Sequence, residues 1–282
     1  MNEPTDDNSR RTKSTSELLE MLTERDLLIL KDLEQFRLLS TRQLQRLRFA
    51  GHVSISSATR TAVRVLGRLE GHGLIARLPR RVGGAIRGSA ATIWQLASTG
   101  ERLLRRLNGD PGRRRYVEPS PQFTAHTLAV AEVGVAVLEA TYKDQFELLE
   151  LEAEPECWRD YLNATGGREW LKPDLFVVTA DAKFESHSFI EVDRDTEHLP
   201  AVLRKCESYQ RYWRTGTEQA RRGLFPAVVW IVPGEARAGK LRAAIRAHPT
   251  LTDDLFHVTT ETEAMSIIGP GTENELMKGG TP

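Results

Sequence analysis

The stretch LKPDLFVVTADAKFESHSFIEVDRDTEHLPAVLRKCESYQRYW (171–213) indicates two strands followed by a helix. Apolar and β-branched runs predict strands near 174–179 and 188–193, and periodic apolar positions predict a helix near 199–213. The flanking sequence adds an apolar helix and two further strands, at 125–142, 146–152 and 227–232. The predicted order of elements in this half of the chain is therefore αβββαβ.

Three acidic side chains fall at one end of the predicted sheet. Asp174 begins one strand, while Glu191 and Asp193 end its neighbour. Residues two apart in a strand project from the same face, so the three carboxylates are predicted to lie together. Carboxylate oxygens suit magnesium or manganese, and such an ion can orient water and stabilise charge on a scissile phosphate. The pattern predicts Asp174 and Glu191 as Mg²⁺ or Mn²⁺ ligands, with Asp193 assisting catalysis.

Other polar residues flank this predicted site. Lys205, Tyr209 and Tyr212 share a helical face, from which Lys205 is predicted to reach the carboxylates and stabilise a transition state. Glu132 lies on an otherwise apolar helix and is a candidate fourth acidic group. His126 opens the same helix, where a structural role is favoured over phosphate contact or proton transfer. The tyrosines also admit a rival interpretation, covalent nicking of DNA by a tyrosine nucleophile, although helical aromatic residues more often belong to a core.

The two halves of the chain carry opposite charge. Residues 1–122 contain 22 Lys and Arg against 13 Asp and Glu, whereas residues 123–282 contain 17 against 26. The basic half is suited to phosphate contact, and a solvated basic face is the alternative. Two domains with different partners are therefore expected.

The order of elements in the basic half is typical of a winged helix-turn-helix. Three helices are predicted between residues 24 and 70, followed by strands at 74–78 and 92–96 around a Gly-rich basic loop. In this fold the third helix enters the major groove and the wing follows the backbone, although some winged modules bind only protein. The arginines predicted to contact DNA are Arg60, Arg64, Arg68, Arg80, Arg81 and Arg87.

The acidic half resembles the PD-(D/E)xK nuclease superfamily over about residues 123–235. That superfamily has the αβββαβ order, an Asp early in its second strand, and an acidic residue and a Lys two apart on its third. Asp193 stands where the superfamily usually has its lysine. In several branches the following helix supplies the lysine, and Lys205 lies at the matching place. The resemblance implies metal-dependent cleavage of a phosphodiester bond.

The chain is also similar to the replication-relaxation family of mobile elements. The similar segments are LTERDLLILKDLEQFRLLSTRQLQRL (22–47), HTLAVAEV (126–133) and LKPD…FIEVDRDTE…K…Y, within about residues 20–235. The resemblance implies processing of plasmid or integrative-element DNA, with DNA and replication or transfer proteins as partners. Because winged helices often bind palindromes as dimers, a homodimer is a further expectation.

An α+β or α/β two-domain protein is the resulting prediction. A signal peptide and a membrane span are not predicted, which favours a cytoplasmic location. Two functions stay open: metal-dependent nicking or cleavage of DNA, and a non-catalytic DNA-binding regulator or replication accessory protein with a degenerate nuclease fold. The predicted segments are a polar tail (1–20), a winged-helix domain (21–108), a linker (109–122), a nuclease-like domain (123–265) and a flexible tail (266–282).

Overall fold

The computed structural model describes residues 15–51, 54–78, 92–109 and 120–270. The chain folds into two compact units, Met1–Glu118 and Pro119–Pro282, here called unit 1 and unit 2. Helices and sheets occur in both units, so the protein has a mixed α/β fold. Of the predicted linker, only Gly109 and residues 120–122 are among the described residues. The predicted wing residues Arg80, Arg81 and Arg87 lie outside them.

Unit 1 contains five described helices and a three-stranded sheet of order β1-β3-β2. Strand β3 pairs antiparallel with both of its neighbours. Leucines on four of the helices, among them Leu30, Leu44, Leu66 and Leu103, are fully buried and form the core. In chain order the elements are α1 Thr15–Met21, α2 Glu24–Phe36, β1 Leu39–Ser40, α3 Thr41–Arg48, α4 Ile55–Gly71, β2 Ile75–Arg77, β3 Ile93–Leu96 and α5 Ser98–Asn108.

Local sequence signals explain how the helices of unit 1 begin. Thr23 and Asp26 form a capping box at the start of α2, in which each side chain binds the backbone N–H of the other residue. Ser40 and Gln43 form the same arrangement at α3. One prediction was wrong at the N-terminus: α1 begins inside the predicted polar tail, because Leu18 is buried in unit 1.

Unit 2 is built on a five-stranded sheet of order β10-β9-β8-β7-β4. Strands β4, β7 and β8 pair antiparallel, whereas β8, β9 and β10 pair parallel. In chain order the elements are α6 Pro121–Tyr142, β4 Glu147–Ala153, β5 Arg159–Leu162, β6 Arg168–Leu171, β7 Leu175–Ala180, β8 Glu185–Val192, α7 Leu199–Arg214, α8 Thr217–Arg222, β9 Ala227–Val232, α9 Glu235–Arg246, β10 Phe256–Thr260 and α10 Ala264–Ile268.

The sequence missed four elements of unit 2, namely β5, β6, α8 and α10. The β5–β6 hairpin is inserted between β4 and β7, and α8 follows α7. The predicted C-terminal tail begins inside α10, whose Ile268 is buried. The remaining helices and strands occur in the predicted order, with boundaries shifted by a few residues.

Helices α7 and α9 cover one face of the sheet. Their apolar residues share a core cluster with alternate residues of the strands, including Phe176, Phe189 and Trp230. Since Glu191 is two residues from Phe189 in β8, it projects from this same face. Helix α6 packs on β4, β8 and α10. By length and composition α6 could cross a membrane, but it is the apolar helix that the sequence predicted to pack against a sheet.

Candidate active site

The two predicted ligands Asp174 and Glu191 meet at one end of the β7–β8 ladder. Asp174 immediately precedes β7, and its backbone N–H donates to the carbonyl oxygen of Ile190 at 3.1 Å. Leu175 pairs with Ile190 in the ladder, so Asp174 lies opposite Glu191. Both side chains are buried, with residues only 3% and 1% exposed. Two acidic groups removed from water at one point require compensating partners.

Helix α7 supplies the partners of Glu191. The Lys205 ammonium forms an ion pair with Oε2 of Glu191, and the Tyr209 hydroxyl donates to Oε1 at 2.5 Å. Lys205 and Tyr209 are four residues apart, so they lie on one helical face above the strand. The Nζ atom of Lys205 is also 3.8 Å from Oδ1 of Asp174. The structure therefore brings Lys205 to both carboxylates, as the helix spacing predicted.

Asp174 is held by two further groups. The Val192 N–H donates to Oδ2 at 2.7 Å, and Nε2 of His126 lies 3.2 Å from Oδ1. His126 reaches the site from α6, so three elements contribute to it. The sequence analysis favoured a structural role for this histidine, but the structure places it against a predicted ligand, with its side chain 39% exposed.

Burial and ion pairing set the charges of the centre. Burial raises the pKa of Glu191 to about 8, and Asp174 adds to this effect against the opposing influence of Lys205. Burial would also raise the pKa of Asp174, but Lys205, His126 and the Val192 N–H outweigh it and lower that pKa. Burial opposes the charge of Lys205, whereas Glu191 and Asp174 raise its pKa above the usual range. Lys205 is therefore an ammonium.

Asp193 does not join this centre. Its Oδ2 accepts a 2.6 Å hydrogen bond from Nε of Arg237 on α9, and its Oδ1 accepts one from the Asp195 N–H at 2.8 Å. Arg237 also contacts Asp195 and the carbonyl oxygen of Glu197, so it ties together the turn that follows β8. Asp193 and Glu191 share a face of the strand, but different helices cover them.

Glu132 also lies apart from the buried carboxylates. It is six residues from His126 along α6, which corresponds to about 240° of rotation around the helix. The side chain is exposed to solvent. Its carboxylate therefore has no need of a buried metal ion, which was the reason for singling it out.

The two tyrosines are buried, which argues against the rival interpretation of a tyrosine nucleophile. Tyr209 is 0% and Tyr212 is 1% exposed, and the Tyr212 hydroxyl donates to Glu218 at 2.5 Å. Burial, with Glu191 beside the hydroxyl, raises the pKa of Tyr209 well above its usual range. A phenol that is buried and held protonated is a poor nucleophile.

The predicted arginine face of α4 is divided in the structure. Arg60 and Arg64 are exposed. Arg68 donates to Oδ1 of Asp26 at 2.6 Å, and the Asp26 side chain is 1% exposed. Arg68 thus joins α4 to the start of α2, but its side chain is still 38% exposed, so all three arginines are accessible on the surface of unit 1.

Metal ligation depends on the groups around the two carboxylates. Among the residues that the structure describes, no group of three or more His, Cys, Asp and Glu side chains is arranged to hold a metal ion. Asp174 and Glu191 offer the hard oxygen donors that magnesium and manganese prefer. Each of their four oxygens, however, is in contact with His126, Val192, Lys205 or Tyr209. Each of these oxygens has a second lone pair, so a metal ion held by both carboxylates would share them with the Lys205 ammonium and His126.

The fold and the site define a mixed α/β protein in which two buried strand carboxylates are paired with a helical lysine and a histidine. The model of the replication-relaxation family matches residues 30–228. The protein belongs to the replication-relaxation family. Membership indicates a role in plasmid or mobile-element replication or relaxation and an interaction with DNA. No curated protein and no solved structure matches the chain.

The sequence did not predict the partner of Asp193, which holds this acid outside the site. Arg237 lies 44 residues from Asp193 in the chain, and no local pattern relates them. His126 carried one available signal, because a polar residue near the start of an apolar helix requires a partner. The β5–β6 hairpin was also missed, although its turn NATGG (163–167) followed by REWL (168–171) suits a short strand.

Proposed function

We propose that this protein processes plasmid or mobile-element DNA by metal-dependent nicking or cleavage. Unit 1 acts as a winged helix that binds DNA, and unit 2 acts as a PD-(D/E)xK-like nuclease core. The single observation that supports this proposal best is the meeting of Asp174, Glu191 and Lys205 at the end of two neighbouring strands. Apart from the inserted β5–β6 hairpin, the element order resembles that of the superfamily, and a lysine on the following helix resembles several of its branches.

Each residue has a distinct role in the proposed reaction. Asp174 and Glu191 would hold Mg²⁺ or Mn²⁺, which when bound supplies an activated water and stabilises charge on the phosphate. Lys205 keeps its proton and places a positive charge where the phosphate oxygens gain negative charge. His126 Nε2, partly exposed beside Asp174, is placed to hold or accept a proton. Asp193 is assigned to the fold instead, because Arg237 holds it.

DNA binding is assigned to the basic surface of unit 1. Helix α4 follows three shorter helices, α1, α2 and α3, and precedes the antiparallel β2–β3 pair; α2, α3, α4 and this pair have the order of a winged helix. Arg60 and Arg64 are exposed on α4, and Ser54 caps its start. These arginines would neutralise phosphates, and Arg80, Arg81 and Arg87 would extend the contact from the wing.

Cleavage of supercoiled plasmid that carries the protein's own flanking DNA, with magnesium or manganese, tests the proposal. Asp174→Asn, Glu191→Gln and Lys205→Met should each lose nicking by about 100-fold or more. Glu185→Gln is a matched control, because Glu185 begins the strand that Glu191 ends and is exposed. Asp193→Asn should keep nicking if its role is structural. Retained nicking in all three site variants would refute the assignment.

A second function is favoured by the occupied oxygens of the site. Lys205 and Tyr209 satisfy Glu191, and His126 and Val192 satisfy Asp174, so the centre is stable as an ion-paired network. A network of this kind suits a non-catalytic DNA-binding regulator or replication accessory protein that retains the nuclease fold. Salt-sensitive DNA binding with no cleavage under any metal condition would select this second function.

A further inference from the structure

The residues around the β5–β6 hairpin form a surface that the proposed chemistry does not use. Trp158 precedes the hairpin, and the other members of the surface, here called the tryptophan platform, follow its turn: Arg168, Trp170 and Lys172. The ring centroids of Trp158 and Trp170 are 6.4 Å apart, and the two rings are in an edge-to-face arrangement. Trp170 is 49% exposed, which is costly for a large aromatic side chain unless its surface is used.

Two cations lie against these rings. Nζ of Lys172 is 4.4 Å from the Trp158 ring centroid, and the Arg168 guanidinium carbon is 5.3 Å from the Trp170 centroid. Arg168 also donates to Oδ2 of Asp160, which fixes its position beside the ring. The platform therefore combines exposed aromatic surface with positive charge, although unit 2 belongs to the acidic half of the chain.

The platform adjoins the candidate active site. Lys172 is two residues before Asp174, and Trp158 directly follows Cys157. The Cys157 thiol donates to the carbonyl oxygen of Pro173 at 3.1 Å, which fixes the start of the hairpin segment beside Asp174. The other face of the hairpin packs against α7, where Arg211 contacts Glu169. The hairpin thus packs against the helix that carries Lys205.

We infer that the tryptophan platform binds unpaired bases of DNA and leads a single strand to the Asp174–Glu191–Lys205 centre. Bases in a duplex are stacked on one another, so an exposed tryptophan can stack only on a base that is unpaired. Lys172 supplies positive charge for the phosphates of such a strand, whereas the charge of Arg168 is shared with Asp160. This inference rests on the proposed function, because it names the form of DNA that the proposed centre receives.

Binding in the presence of EDTA tests the platform without any contribution from cleavage. The probe is a fluorescein-labelled oligo-dT of about 15 nucleotides, which cannot form a duplex, and a mixed-sequence duplex of the same length is the comparison. Trp170→Ala should weaken oligo-dT binding on the order of tenfold, and Trp170→Phe should retain most of it because a ring remains. Duplex binding, which is assigned to unit 1, should change little in both variants.

Phe184→Ala is the matched control. Phe184 is 61% exposed, but it lies in the β7–β8 turn at the opposite end of the ladder from Asp174. The Phe184→Ala variant should bind oligo-dT with the same affinity as the wild type. Lys172→Ala should weaken oligo-dT binding and make its dependence on salt less steep.

The outcomes separate this inference from the proposed function. Equal oligo-dT affinity of wild type, Trp170→Ala and Phe184→Ala overturns the platform, whether or not plasmid is nicked, and leaves the surface to a protein partner. Weaker oligo-dT binding by Trp170→Ala and Lys172→Ala, with wild-type binding by Phe184→Ala, supports the tryptophan platform. If those variants lose oligo-dT while the wild type never nicks plasmid, the hydrolysis proposal fails and the single-strand site stands.

Discussion

Replacing Arg237 with alanine tests whether Asp193 belongs to the fold or to the chemistry. The Arg237 and Asp193 side chains are 8% and 2% exposed and are joined by a 2.6 Å hydrogen bond. The substitution leaves the Asp193 carboxylate buried, with the Asp195 N–H at 2.8 Å as a remaining partner. Removing one partner of a buried ion pair costs about 3–5 kcal/mol. Because that backbone hydrogen bond survives, we expect the free energy of unfolding to fall by about 3 kcal/mol, the lower end of the range.

Urea unfolding followed by tryptophan fluorescence is the appropriate assay. Four of the five tryptophans lie in unit 2, so the signal reports mainly on that unit. With an m-value on the order of 2 kcal/mol per molar, the midpoint should fall by about 1.5 M. Arg246→Ala is the control on the same helix, since Arg246 and Asp253 are 75% and 52% exposed. An exposed pair of this kind contributes about 1 kcal/mol or less.

A double substitution sharpens the same test. Arg237→Ala combined with Asp193→Asn removes the buried charge as well as its partner, so it should be more stable than Arg237→Ala alone. If Arg237→Ala shifted the midpoint no more than Arg246→Ala, Asp193 would not depend on Arg237. The assignment of Asp193 to the fold would then be refuted.

Three further predictions concern DNA affinity, pH dependence and thiol reactivity. The double variant Arg60→Ala/Arg64→Ala should bind duplex DNA more weakly. The slope of log affinity against log salt concentration, measured by fluorescence anisotropy, should decrease by the amount expected for about two lost phosphate contacts. The contact with Asp174 raises the pKa of His126 above 6.5 in the folded protein. The contribution of this contact to the free energy of unfolding is therefore complete below pH 6.5 and is lost as the pH rises through the pKa of His126 in the folded protein. The difference in urea midpoint between wild type and His126→Gln should therefore be larger near about pH 6 than near about pH 9, and a constant difference would contradict the pairing. Cys157 is fully buried and its pKa is raised by burial, so a thiol reagent should modify it only after urea unfolds unit 2.

Local sequence patterns predicted the elements that carry the site. The capping box at Thr23 fixed the start of α2, and the apolar runs predicted β7, β8 and β9 within a few residues. The four-residue spacing of Lys205 and Tyr209 correctly put both on one face toward the acidic strand. The inserted β5–β6 hairpin and α8 were not predicted, because short elements are stabilised mainly by the surfaces that they cover.

The sequence by itself determined the family, the mixed α/β composition and the alternation that put Glu191 and Asp193 on one face of a predicted strand near 188–193. Only the tertiary structure decided which of the two acids belongs to the site. Helix α7 brings Lys205 to Glu191, whereas α9 brings Arg237 to Asp193. Alternation in a strand depends on neighbouring residues alone, but the partner of a buried charge depends on how helices distant in the chain pack on the sheet.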